Sequence, residues 1–105
     1  MSNFTKICAL SDLIPDAGIP ALFNGKAIAL FYVNDEVYAL SNYDPIGQAS
    51  VMSRGIVGSI KGELVVASPL YKEHYNLKTG QCIEHSEYSL MVYSVKLEGG
   101  NVWVA

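Results

Sequence analysis

Short hydrophobic segments alternate with turn-forming residues along most of this chain. Segments 19–23 and 26–33 flank Asn24-Gly25, the pair that most readily adopts the positive φ angles of a tight hairpin turn. Asn34-Asp35 then predicts a second turn, which leads into a strand over residues 36–40. Successive strands joined by tight turns indicate an antiparallel sheet.

The second half of the chain continues this pattern. Segments 56–60 and 63–67 flank Lys61-Gly62, which predicts another hairpin. A short segment over residues 73–77 follows and ends at the turn-forming residues 78–81. These segments predict short strands and leave little room for helix.

The end of the chain predicts one more hairpin, formed by residues 89–97 and 101–105. Helix is limited to one turn at residues 11–14, begun by Ser11 as N-cap, and another at 48–53. No internal repeat or linker composition divides the chain. We therefore expect one all-β domain over residues 1–105.

Composition and charge restrict the function classes. Half of the 105 residues are hydrophobic, and the net charge is -3 without any run of basic residues, so we expect no nucleic-acid partner. The longest apolar run, residues 27–33, is far shorter than the roughly 18 residues that span a bilayer. The N-terminus also lacks a basic start followed by an apolar core. These features predict a cytoplasmic protein with no membrane contact.

Two proline-containing loops carry a resemblance to a known family. The first reads Asn42-Tyr43-Asp44-Pro45 and the second Ser68-Pro69-Leu70-Tyr71, followed by Tyr75-x-Leu77-x-Thr79-Gly80. This order resembles a Rieske domain, in which the first loop carries Cys-x-His and the second carries Cys-x-x-His. The resemblance implies an antiparallel β-sandwich in which a small loop-rich lobe, about residues 42–80, is inserted between the N-terminal and C-terminal strands.

The resemblance also implies four vacated ligand positions. When the prolines are aligned, these positions fall on Asp44, Ile46, Ser68 and Tyr71. A mixed [2Fe–2S] site needs cysteine thiolates on one iron and imidazoles on the other. Isoleucine offers no donor atom, and tyrosine has to lose a proton with a pKa of about 10. We therefore expect no iron–sulfur cluster, no metal and no catalytic residue in this chain.

Three further motifs resemble the small subunits of the NADH-dependent cytoplasmic nitrite reductase. They are Ser41-Asn42-x-Asp44-Pro45, Ser53-Arg54-Gly55, and the run of residues 62–70. The resemblance implies a ligand-free subunit that accompanies a large subunit bearing flavin, an iron–sulfur cluster and sirohaem. That complex reduces nitrite to ammonium in nitrate assimilation, so this chain is expected to support it by docking.

The apolar side chains of the two loops allow two interpretations. Tyr43, Ile46, Leu70 and Tyr71 either pack together to fill the vacated space or form an apolar tip that the large subunit covers. Arg54, the sole arginine, suits a contact with a partner carboxylate, although an ordinary solvated arginine explains it as well.

Other function classes remain open at this level. Cys82-x-x-His85 has the spacing of half a zinc site, but no upstream motif completes four ligands. His74 suits a general base, but its place at the start of a short strand favours an exposed sheet histidine. The rival functions are therefore a small electron-transfer protein, a zinc-binding β module and a free-standing ligand-binding domain.

Overall fold

The computed structural model describes residues 3–105, which form twelve short strands and two 3-10 turns. The 3-10 turns are Leu10–Asp12 and Met52–Arg54. The strands are β1 (Thr5–Ala9), β2 (Ala17–Phe23), β3 (Lys26–Val33), β4 (Glu36–Ser41), β5 (Tyr43–Asp44), β6 (Ala49–Ser50), β7 (Ile56–Ile60), β8 (Glu63–Ala67), β9 (His74–Asn76), β10 (Val92–Tyr93), β11 (Val95–Glu98) and β12 (Asn101–Val104).

The strands form four antiparallel sheets, with strand orders β1-β12-β11, β10-β4-β3-β2, β5-β6 and β7-β8-β9. The predicted all-β antiparallel fold is therefore confirmed. Within the described residues 3–105, no helix is long and apolar enough to cross a membrane.

The sheet β10-β4-β3-β2 lies between two hydrophobic clusters. Ala29 and Phe31 of β3 belong to the cluster that includes residues of β8 and β9, whereas Ile28 and Leu30 belong to the cluster that includes residues of β12. Because successive side chains of a strand point to opposite faces, a strand covered on both faces must be apolar throughout. This double burial explains the uninterrupted apolar run of β3.

Two predicted hairpins are confirmed with their turns. Asn24 and Gly25 have φ angles of 50° and 77° and join β2 to β3. Lys61 and Gly62 have φ angles of 51° and 82° and join β7 to β8, whose bounds match the predicted segments. Local turn chemistry therefore set both connections.

The predicted C-terminal hairpin is confirmed between β11 and β12, but its first strand does not run unbroken over residues 89–97. The chain changes sheets at Ser94, because β10 pairs with β4 whereas β11 pairs with β12. Ser94 still exchanges two backbone hydrogen bonds of 3.0 Å with Ala105. This break lets one segment of the chain contribute to two sheets. The alternation of apolar and polar residues in the sequence does not show where the segment changes sheets.

The first helical turn also differs from the prediction. Its N-cap is Ala9, two residues before the predicted Ser11. The Ala9 amide donates to the Asp12 carboxylate over 3.1 Å. The stabilising polar group therefore comes from inside the turn and not from a capping serine.

Candidate functional site

The two proline-containing loops meet through a buried pair of side chains. The Ser68 hydroxyl donates a hydrogen bond to Oδ2 of Asp44, and the two residues are 2% and 0% exposed. Both occupy predicted positions of cysteine ligands. The structure therefore brings the two loops together by an oxygen-to-oxygen hydrogen bond.

Asp44 also organises its own loop. Its Oδ1 accepts hydrogen bonds from the backbone amides of Ile46 and Gly47, over 2.9 and 3.0 Å. Its backbone oxygen accepts from the Gln48 amide over 2.7 Å. A carboxylate in this position replaces the solvent that these amides lose on burial.

The second loop is closed around Ser68. The backbone oxygen of Ser68 accepts from the Lys72 amide over 3.0 Å, and its hydroxyl accepts from the Leu70 amide over 3.2 Å. The Leu70 side chain covers Gly47, where an added Cβ would lie 2.3 Å from Leu70 Cδ1. The loops are therefore packed on each other as well as hydrogen-bonded.

Tyr75 of β9 is buried near this pair. Burial, and then the negative charge of Asp44, raise the pKa of the Tyr75 hydroxyl. The hydroxyl is close enough to sense that charge, but within the described part of the chain it has no hydrogen bond of good geometry. Tyr75 thus supports the loops by apolar packing, and the Tyr75 hydroxyl stays protonated.

The predicted contact residues differ in exposure. Tyr43, Leu70 and Tyr71 are 47%, 44% and 64% exposed. Ile46 is half-buried and packs against the hydrophobic cluster around β8 and β9. Ile46 thus helps to fill the interior, whereas the other three side chains present apolar surface.

A buried asparagine positions Arg54. Oδ1 of Asn42 accepts from the Ser53 amide over 2.6 Å, and the Asn42 backbone oxygen accepts from the Met52 amide over 3.0 Å. Met52 and Ser53 are buried, whereas Arg54 is exposed. The role of Asn42 was missed from the sequence, where the residue appears only as part of the Ser41-Asn42-x-Asp44-Pro45 motif.

The two residues of the Cys82-x-x-His85 motif differ in exposure, since Cys82 is buried and His85 is exposed. Cys82 is 1% exposed, and burial raises the pKa of its thiol. His85 lies at the surface, with Nε2 4.0 Å from Glu73 and its ring edge-on to Tyr88. Residues 3–105 contain no group of three or more His, Cys, Asp and Glu side chains that suits a metal ion.

His74 forms a pair with Glu84. Its Nδ1 lies 2.6 Å from Oε2 of Glu84, and its backbone amide donates to Oε1 over 2.8 Å. Burial would raise the pKa of Glu84, but the hydrogen bonds from His74 outweigh it and lower the pKa. The His74 ring is therefore held by Glu84, which lies in the bend that follows Cys82.

Comparison with known proteins identifies the family. The model of the Rieske-like [2Fe-2S] domain matches residues 3–105. The nitrite reductase (NADH) small subunit of Salmonella typhimurium is 41% identical over 104 residues, which cover 97% of this chain and 96% of that protein. This chain belongs to the Rieske-like family, among the nitrite reductase small subunits. The resemblance inferred from the loop motifs is therefore confirmed.

Two further relatives extend this result. A crystal structure of a nitrite reductase NADPH small subunit has a TM-score of 0.95 and 48% identity, with 99% of each chain covered. The nitrite reductase [NAD(P)H] large subunit of Klebsiella oxytoca is 43% identical over 98 residues, which cover 93% of this chain and 10% of that protein. A Rieske-like domain of this type is thus part of a much longer polypeptide in Klebsiella.

The residues of this chain do not fit the cluster that gives the Rieske-like family its name. Asp44 already accepts three hydrogen bonds through its carboxylate oxygens, and Ser68 supplies one of them. Ile46 has no donor atom, and the Tyr71 side chain is 64% exposed. Thiolates and imidazoles are the ligands that such clusters use. The assignment of these four residues to vacated ligand positions itself stays a prediction.

The buried tyrosine predicts an alkaline pH dependence of stability in this Rieske-like subunit. An unfolded tyrosine has a pKa of about 10, and folding raises the pKa of Tyr75 above that value. The folded state therefore retains the proton more tightly, so the free energy of unfolding should be level below about pH 10 and fall above it. We expect Tyr75→Phe to flatten this fall in urea titrations, with little change at pH 7.

Tyr38 supplies an internal control for that experiment. Burial and the hydrogen bond to Glu36 raise the pKa of Tyr38 to about 12, so part of the alkaline dependence should persist in Tyr75→Phe. An identical alkaline slope in the wild type and in Tyr75→Phe would contradict the role given to Tyr75.

Proposed function

We propose that this chain is the non-catalytic small subunit of an NAD(P)H-dependent nitrite reductase and supports the reduction of nitrite to ammonium by docking on the large subunit. The observation that carries this proposal is the hydrogen-bonded pair of Asp44 and Ser68 at the junction of the two loops. In a Rieske-like fold without cluster ligands, these loops offer a shaped surface and no electron carrier. The alternatives of an electron-transfer or zinc-binding module are not favoured, because neither has a suitable donor set.

The Klebsiella relative supports docking as the mode of action. In that protein, a domain 43% identical to this chain forms part of the large subunit. In one protein this type of domain is covalently attached to the large subunit, and in the other it is a separate chain. In both cases the domain needs a stable position on the large subunit. Docking of the separate chain would supply that position without a linker.

The exposed apolar residues of the two loops are the proposed contact surface. Tyr43, Leu70 and Tyr71 provide aromatic and aliphatic area, and Arg54 provides a charge on an anchored turn. Buried aromatic and arginine side chains account for much of the binding energy in protein interfaces. Ile46 would support this surface indirectly, since its side chain packs the first loop against the core.

The proposal includes several parts that concern the whole complex. Flavin, the iron–sulfur cluster and sirohaem would all be on the large subunit, and this chain would contribute no catalytic residue. The chain would act in the cytoplasm, without nucleic acid or membrane as a partner. It would do so as one domain over residues 1–105, with the loop-rich lobe over about residues 42–80 facing the large subunit.

Reconstitution tests the proposal. The large subunit is purified alone and together with this chain, and nitrite-dependent oxidation of NADH is measured for both samples. We expect a stable complex with higher activity or a longer lifetime at the assay temperature, because docking stabilises the conformation it binds. We also expect Tyr71→Ala to weaken the complex by about tenfold, whereas Leu22→Ala, a 71% exposed residue of β2, leaves it unchanged.

Two results would contradict the proposal. One is the absence of association together with equal activity of the large subunit in both samples. The other is stoichiometric iron with visible absorbance in the purified wild-type chain, which would make this protein an electron carrier.

A further inference from the structure

A groove with positive charge lies beside the second loop. It has a volume of about 420 Å³, and its walls include Arg54, Ile56, Pro69, Lys72 and His74. These residues come from the Met52–Arg54 turn, the start of β7, the second loop and the start of β9. We call this surface the basic groove.

The charge of the basic groove comes from Arg54 and Lys72. Both residues are exposed, and within the described part of the chain neither side chain forms an ion pair or a hydrogen bond. Among residues 3–105, no carboxylate lines the groove, and the His74 ring is held by Glu84. Because the whole chain has a net charge of -3, this positive region contrasts with the rest of the molecule and is suited to acidic groups.

The lining of the basic groove also includes apolar side chains. Ile56 is 76% exposed at the start of β7, which is an edge strand of its sheet, and Pro69 lies nearby. An inorganic anion that bound the two cations would leave Ile56 in water. A polypeptide segment that carries both carboxylates and an aliphatic side chain would cover all of these groups.

The backbone of Lys72 is in an unusual conformation. Its φ angle is 64°, in the left-handed region, which costs a residue with a Cβ about 1 kcal/mol relative to glycine. The hydrogen bond from the Lys72 amide to the Ser68 oxygen holds the loop in this conformation. Glycine fits this backbone conformation at least as well as lysine, so a Lys72→Gly substitution can remove the cation without straining the loop.

We propose that the basic groove binds a segment of the nitrite reductase large subunit in which carboxylates flank an aliphatic side chain. The carboxylates would pair with Arg54 and Lys72, and the aliphatic side chain would cover Ile56. This inference rests on the proposed function and names the chemistry of the partner. It extends the contact surface from the exposed loop residues Leu70 and Tyr71 to the edge of β7.

Substitution of Lys72 separates binding from folding. Lys72→Gly removes the cation and relieves the backbone conformation, so we expect an unchanged or higher melting temperature and about tenfold weaker binding to the large subunit. Lys61→Gly is the matched control, since Lys61 has a φ angle of 51° and lies at the opposite end of the β7–β8 hairpin. We expect the control to leave the affinity unchanged.

Arg54→Ala and Ile56→Asn test the other two groups. Each should weaken binding by about tenfold, and Arg54→Ala should also reduce the dependence of Kd on salt concentration. Leu22→Asn is the control for Ile56→Asn, because both positions carry exposed aliphatic side chains on strands.

The outcomes distinguish this inference from the proposed function. If the wild-type chain does not associate with the large subunit, the proposed function fails, and the inference fails with it. If the wild type associates but all three groove variants bind within about twofold of it, the basic groove is not the interface and the proposed function stands. If the chain alone forms dimers that Arg54→Ala dissociates, the groove binds a second copy and this inference is overturned.

Discussion

Asp44→Ala is expected to lower the free energy of unfolding by about 3 kcal/mol. The substitution leaves the amides of Ile46 and Gly47 and the hydroxyl of Ser68 without their acceptor. Each buried polar group that loses its partner costs about 1–3 kcal/mol, and relaxation of the loops recovers part of the sum. The melting temperature should fall by about 4–8 °C for each kcal/mol in a domain of this size.

Asp44→Asn is the control for that experiment. The asparagine oxygen can still accept from both amides, and its NH2 group can donate to the Ser68 oxygen, so we expect less than about half of the loss. Urea unfolding of both variants measures the difference. Equal losses for alanine and asparagine would mean that the hydrogen bonds of Asp44 do not hold the loops together.

Ser68→Ala completes the test of the pair. This substitution removes the donor to Asp44 and the acceptor of the Leu70 amide, and it leaves Asp44 with its two amide partners, so we expect a loss of about 1–2 kcal/mol. Because the two residues share a hydrogen bond, the double variant Asp44→Ala/Ser68→Ala should lose less than the sum of the single losses. Additive losses would show that the two side chains do not interact in solution.

Gly80→Ala should also lower the free energy of unfolding by about 3 kcal/mol. The added Cβ would lie 2.1 Å from the backbone oxygen of Leu90, and the φ angle of Gly80 is 78°. The Gly80 oxygen accepts from the Leu90 amide over 2.7 Å, so the two segments cannot separate without breaking that bond. Steric displacement and left-handed strain therefore act together.

Gly25→Ala isolates the steric part of that effect. Gly25 has nearly the same φ angle, 77°, and no atom lies within 4 Å of its Cβ position. We expect this control to lose only about 1 kcal/mol from the left-handed conformation. Similar losses for the two variants, measured by urea unfolding, would contradict the close approach of Gly80 to Leu90.

The candidate site was predicted from the sequence only in part. The motifs placed Asp44 and Ser68 at equivalent positions of two loops, and the structure shows that they touch across a separation of 24 residues. The supporting role of Asn42 was missed, because the motif that contains it does not show that its side chain accepts from the Ser53 amide. The exposure of Ile56 and the left-handed conformation of Lys72, on which the proposed groove depends, were not predicted either, because both depend on how the loops fold.

The sequence by itself determined the local connections of this protein. Asn24-Gly25 and Lys61-Gly62 specify their hairpins because adjacent residues set the φ angles of a tight turn. The family was also readable, because the loop motifs retain its order without its ligands.

Only the tertiary structure decided which distant groups meet. The sheet change at Ser94, the burial of β3 on both faces and the basic groove all follow from packing of sheets on one another. The energy of such contacts depends on pairs of residues that lie far apart in the chain. The local sequence around each residue therefore does not specify its partner.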